Sequence, residues 1–155
     1  MSKEVMTRTA SQNTYLHKDF HGALSVGLIY VQDHFGDDAV REYLRDFARA
    51  FYAPLTASVR ELGLIALKEH FEKIYDLEGG DTSIKYTNDE LIIDVKACPA
   101  VTHMRSHNYT VSPLFFETTR TVNEIICEGT PFAFEMVSYE EQTGQHVERF
   151  YRRTI

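Results

Sequence analysis

Cys98-Pro99 is the dipeptide of this sequence that carries the most chemistry. Proline is favoured at the first position of a helix, which places Cys98 at the N-cap, against unpaired backbone N–H groups and the positive end of the helix dipole. Both stabilise a thiolate, so the thiol is expected to titrate below the ~8.5 of a free cysteine and to serve as a nucleophile. The plainer role for such a residue is a small buried apolar side chain. His103 and His107 stand four apart, so on a helix their rings project from one side. That spacing suits two imidazole ligands on one divalent metal such as zinc, with Cys98, Glu117 or His146 as a third. Histidine pairs also face solvent without any ligand, which is the reading of His17 and His21 on the first helix. Glu117 and His146 complete the candidate set, because imidazole titrates near neutral pH and a carboxylate can orient it. Cys127, beside Ile125 and Ile126, reads as core.

Several chemistries have no support. The chain has no glycine-rich phosphate loop, no nucleophile elbow, no CxxC and no HExxH. It holds 16 Lys+Arg against 23 Asp+Glu, a net charge of -7. Nucleic-acid affinity rests on cations that neutralise phosphates, so nucleic acid is excluded as a partner, and a membrane surface for the same reason. The apolar run from Ala23 to Val31 falls far short of the ~20 residues that span a bilayer. Two cysteines, far apart and behind a polar N-terminus, point to reduced thiols in the cytoplasm. Residues 1–14 read as a disordered lead-in and residues 15–155 as a single domain. With 43% hydrophobic and 25% charged residues, that domain can bury an ordinary core.

The elements that must position these residues emerge from hydrophobic period. Leu16, Phe20, Leu24, Leu28, Val31 and Phe35 form one stripe of a long helix, ending at Gly36. Asp37 is a plausible cap for a second helix with Val40, Leu44, Phe47 and Phe51 on its apolar side and Arg41, Glu42, Arg45, Asp46 and Arg49 on the other. Pro54 restarts the chain into a helix with Leu55, Val59 and Leu62, closed by Gly63. Leu64, Leu67, Phe71 and Ile74 continue to about Leu77. After Gly79-Gly80 the period becomes two. Ile84 and Tyr86 lead through the Asn88-Asp89 turn to Leu91, Ile93 and Val95, a hairpin with one apolar face. Strand parity excludes Cys98 from that face unless a bulge intervenes. Next come a short helix from about Ala100 to His107, a loop, and a helix with Phe115, Val122, Ile125 and Ile126. Phe132, Phe134 and Met136 begin a second hairpin that turns over 140–145. Its last strand carries His146, Glu148 and Phe150 on one face and Val147, Arg149 and Tyr151 on the other. Segregated helices and hairpins predict an α+β fold: an N-terminal helical layer on an antiparallel sheet built from two hairpins, with two intervening helices.

One arrangement of segments is familiar. A strand ends in Asp94-Val95-Lys96-Ala97-Cys98-Pro99, a short helix comes next, then Pro-Leu-Phe-Phe at 113–116 and a helix closing in Glu128-Gly129. A terminal hairpin with Gly144 in its turn ends in Arg149-Phe150-Tyr151-Arg152. Over about residues 20–152 this resembles the family named for L-2-amino-thiazoline-4-carboxylic acid hydrolase, and more faintly the vinyl reductase 4-type small-molecule-binding domains. The resemblance implies a small-molecule pocket at Cys98 and hydrolysis of a small cyclic C–N substrate, thiazoline- or amidine-like. Cys98 would attack the amidine-like carbon or help position a metal-bound water. His103, His107 or His146 would move the proton, and Glu117 would orient that base. Phe116–Glu117 and His146 stand where further cysteines are expected in the family. The alternative is a non-catalytic domain that binds a small molecule or metal-containing ligand. A homo-oligomer is compatible with either, and a third reading is a purely structural partner protein using its acidic helical face.

Overall fold

The change of period at Gly79-Gly80 is a boundary in three dimensions. A computed structural model describes residues 18–154, and the lead-in expected over residues 1–14, like His17, lies outside them. Four helices come first: α1 (Asp19–Phe35), α2 (Asp37–Phe51), α3 (Ala53–Leu62) and α4 (Leu64–Glu78). Gly79 ends α4 with φ +70°, a left-handed conformation that glycine adopts without steric cost. Strands β1 (Asp81–Tyr86) and β2 (Glu90–Ala97) form the first hairpin, α5 (Pro99–Ser106) and α6 (Glu117–Ile126) intervene, and β3 (Phe132–Tyr139) and β4 (His146–Arg152) form the second.

The sheet order is β1-β2-β4-β3, antiparallel throughout. Pairing of β2 with β4 therefore joins the two hairpins into one sheet of an α+β fold. The inward face pairs Leu91 with Phe150, Ile93 with Glu148 and Val95 with His146. Leu91, Ile93 and Val95 are fully buried, each stabilising the fold by roughly 1.5–3 kcal/mol through apolar burial. Helix α4 packs on β1 and β2, and α6 packs between α2 and β3. No helix of the described residues is long and apolar enough to cross a membrane.

Two strands depart from strict alternation. Asp81 pairs with Ala97 but Thr82 with Val95, so Lys96 is an extra residue in β2. Met136 pairs with Glu148 but Ser138 with Val147, so Val137 is an extra residue in β3. Each bulge reverses the parity of the residues beyond it. The first returns Cys98 to the packed side, and the second turns Tyr139 inward, opposite His146.

The helical layer differs from the periodic reading in which residues face inward. Helix α1 buries Gly22, Ser25 and Leu28, with Leu24 and Val31 half-buried, and leaves Phe20 and Phe35 exposed. The small residues win because the backbone comes close: a Cβ on Gly22 would lie 2.9 Å from the Tyr109 ring, and Ser25 Oγ donates to the Thr110 carbonyl at 2.7 Å. Helix α2 likewise buries Val40, Leu44 and Ala48, while Phe47 and Phe51 are exposed and stack on each other. Gly36, at φ +89°, serves as both the end of α1 and the N-cap of α2, the place expected for Asp37.

Candidate functional site

Cys98 occupies the N-cap of α5, with Pro99 starting the helix. The turn of the second hairpin docks on this corner. Cys98 N–H donates to the Thr143 carbonyl at 3.1 Å, and a Cβ on Gly144 would fall 2.5 Å from Cys98 Cβ. The sulfur makes no capping hydrogen bond, although the Val101 and Ala100 N–H groups lie where they favour thiolate. They do not prevail. Burial, first, and the carboxylates of Glu78 and Glu148 push the thiol pKa up, not down as its N-cap position predicts.

Behind Cys98 the inner face of the sheet carries a polar cluster. His146 is buried, and its Nδ1–H donates to the Gly144 carbonyl at 2.6 Å. Its Nε2 stands 2.8 Å from Glu148 Oε1. Burial alone would favour the neutral ring, but Glu148 outweighs it and the His146 pKa is raised, favouring an imidazolium that donates from both nitrogens. Glu148 also accepts from Tyr75 Oη at 3.2 Å and from Asn123 Nδ2 at 3.2 Å, so both carboxylate oxygens are satisfied. Desolvation first, then Glu148 and Cys98, hold the Tyr75 phenol well above its ordinary value. Glu78, buried at the end of α4, bonds His21 Nε2 at 2.8 Å.

The other candidates lie elsewhere. His103 Nε2 pairs with Asp19 Oδ1 at 2.8 Å, while the His107 ring, 4.2 Å away by centroid, donates to the His103 carbonyl at 2.9 Å. Among the described residues no group of three or more His, Cys, Asp or Glu is placed to hold a metal ion, so no third ligand joins the two rings. Glu117, fully buried at the start of α6, accepts from Arg41 at 3.0 Å, from Thr121 at 2.6 Å and from Arg120. Burial pushes its carboxyl up, but these bonds outweigh it and the pKa is lowered. Glu117 thus joins α2 to α6, and its bonds go to these partners instead of to a histidine. Cys127 is core, its thiol pushed up by burial to about 12.

Two open grooves flank the cluster. One, of about 340 Å³ between α4 and β1, is lined by Glu72, Tyr75, Asp76, Gly80, Thr82 and Ile84. The other, of about 350 Å³, is lined by Phe116, Arg120, Met136, Val137, Ser138 and Tyr139. Cys98 lines neither. Each groove does present a tyrosine whose other side meets the cluster: Tyr75 through its bond to Glu148, and Tyr139 with its ring 6.0 Å from that of His146. Hydrophobic period does not reveal Glu148, Tyr75, Glu78 or Asn123 as members of the cluster. Of these, only Glu148 has a usable signal, since it shares a strand face with Phe150 and must point the same way. No family model matches the chain, and no curated protein matches it.

Proposed function

We propose that this chain is a small-molecule-binding domain whose ligand sits in the groove between α4 and β1, over Tyr75. The observation that carries this reading is the groove itself, which sets the Glu72 and Asp76 carboxylates beside Tyr75 and Ile84. Cys98 lies outside it and bears only on the alternative of nucleophilic catalysis. There, burial and the carboxylates of Glu78 and Glu148 oppose thiolate, which weakens a nucleophile at neutral pH. The groove has the size of a small ligand site and pairs apolar surface from Ile84 and Tyr75 with two carboxylates. Glu72 is held by Lys68 at 2.6 Å, whereas Asp76 has no cationic partner among the described residues. A compact organic cation, amidinium or ammonium with an apolar body, complements those walls. The chain's net charge of -7 favours its approach.

Benzamidine and benzoate make a matched pair of probes, similar in shape and opposite in charge. Benzamidine should shift the backbone amide resonances of Gly80 and Thr82 saturably, and Asp76→Asn should weaken it several-fold. Equal response to both compounds, or to neither, would overturn the reading.

The Val101 and Ala100 N–H groups beside the sulfur favour a second reading, hydrolysis of a small cyclic amidine by Cys98. Its test is the rate of iodoacetamide alkylation against pH. A catalytic thiol reacts faster than Cys127 and keeps its rate below pH ~8.5. A rate that climbs only above that value rejects nucleophilic catalysis.

A further inference from the structure

Helix α1 carries none of Asp, Glu, Lys or Arg between Phe20 and Gln32. A helix apolar on every side is ordinarily covered on every side. Here one face packs against α2 and α5, and the opposite face is open. Phe20 is 72% exposed, Val26 62% and Tyr30 58%. The open residues Phe20, Ala23, Gly27, Tyr30 and His34 recur at spacings of three and four, the period of a seam between paired helices. On α2 solvent meets Tyr43, Phe47 and Phe51 too, but there they alternate with the charged Glu42, Arg45, Asp46 and Arg49.

We infer that this seam is a dimer interface, occupied by α1 of a second copy running antiparallel about a two-fold axis at Gly27. Self-complementarity selects this occupant. Antiparallel pairing centred on Gly27 sets each Phe20 against the other His34 and each Tyr30 within one residue of the other copy's small Ala23. Gly27 meets Gly27 at the crossing, where the backbones can approach closely. A parallel pair would stack Tyr30 on Tyr30 and leave Ala23 facing Ala23, with helix dipoles aligned unfavourably. A closed two-fold contact of one patch with itself is the commonest form of soluble oligomer. The area also suffices. With ~150–250 Å² for a full aromatic side chain, the six residues from Phe20 to His34 on this face (Val26 included) expose on the order of 500 Å². A standard interface takes ~800 Å² from each partner, so the seam supplies over half before its rim is counted.

Light scattering on the full chain at tens of micromolar should give twice the 17.9 kDa of one copy. Gly27→Leu should return it to a single copy. No atom lies within 4 Å of the position a Cβ at Gly27 would take, so the variant fits the isolated fold. Gly27→Cys should form an intermolecular disulfide under mild oxidation, and Ala23→Cys should not. A dimer that survives in Gly27→Leu overturns the proposal, and so does cross-linking through Ala23→Cys, which reports a parallel pair. A single-copy wild type that melts lower as Gly27→Leu also overturns it, in favour of residues 1–17 covering the seam. The seam shares no residue with either groove, so benzamidine binding and dimerisation fail or succeed independently.

Discussion

His146 and Glu148 occupy positions on β4 that would ordinarily hold two more apolar side chains, between Val95 and Ile93 of β2 and below Tyr75 of α4. A buried ion pair costs desolvation on both partners. It persists here because the imidazole has Gly144 and Glu148 as partners, and the carboxylate has Tyr75 and Asn123 besides. The pair makes stability depend on pH in a stated direction. The folded His146 pKa lies above the ~6.5 of an unfolded histidine, so the folded state binds the proton more tightly. That contribution is complete below ~6.5 and is lost as pH rises through the folded value. The destabilisation caused by His146→Gln, measured by urea unfolding, should therefore be largest below pH ~6.5 and shrink as pH rises through the folded value. A cost that is flat or grows with pH would show that the proton sits elsewhere than on His146.

At the scale of elements, the two hairpins are legible in the sequence and the orientation of their ends is not. Alternation of Leu91, Ile93 and Val95 identifies β2, because a period of two needs no knowledge of the partner strand. The extra residues Lys96 and Val137 leave no mark in an alternation, yet they decide that Cys98 and Tyr139 face the interior. Helices α1 and α2 mislead for a different reason. Their period is right, but the large aromatics point to the wrong side, whereas close approach of α1 to Tyr109 demands Gly22 and Ser25 there. Pro99 places Cys98 correctly at an N-cap, but two carboxylates distant in sequence help set its protonation. The junction of the second hairpin with that cap is itself testable. Gly144 has φ +67° and no room for a Cβ beside Cys98 and Val101. Gly144→Ala combines left-handed strain of ~1–2 kcal/mol with overpacking of ~1–3 kcal/mol, a predicted loss of about 2–5 kcal/mol in unfolding free energy. A change under ~0.5 kcal/mol, the range of ordinary surface substitutions, would mean that the turn does not dock on Cys98.

Across the whole molecule, the order β1-β2-β4-β3 ties the chain's middle to its end through one strand pair. The helical layer is tied to the same sheet twice: α4 packs on β1 and β2, while Arg41 of α2 holds Glu117 of α6, which packs on β3. Helix α1 joins this linkage through its inner face, against α2 and α5. The fold should therefore unfold as one cooperative unit, as small single domains generally do. Ile93 is the residue to test, since it is fully buried at the centre of the sheet and pairs with both Ile84 and Glu148. Ile93→Ala removes buried methyl groups and leaves a cavity, at a cost of about 2–5 kcal/mol. Far-UV circular dichroism tracks the helices, most of which lie before Gly80, and the near-UV signal of the tyrosines, Tyr75 of α4 and Tyr139 of β3 among them, tracks side-chain packing. Both midpoints should fall together in the variant and by the same amount. If the near-UV transition moves alone, the helices outlast the side-chain packing around them, and the sheet with its His146–Glu148 pair is not coupled to the helical layer in one cooperative unit.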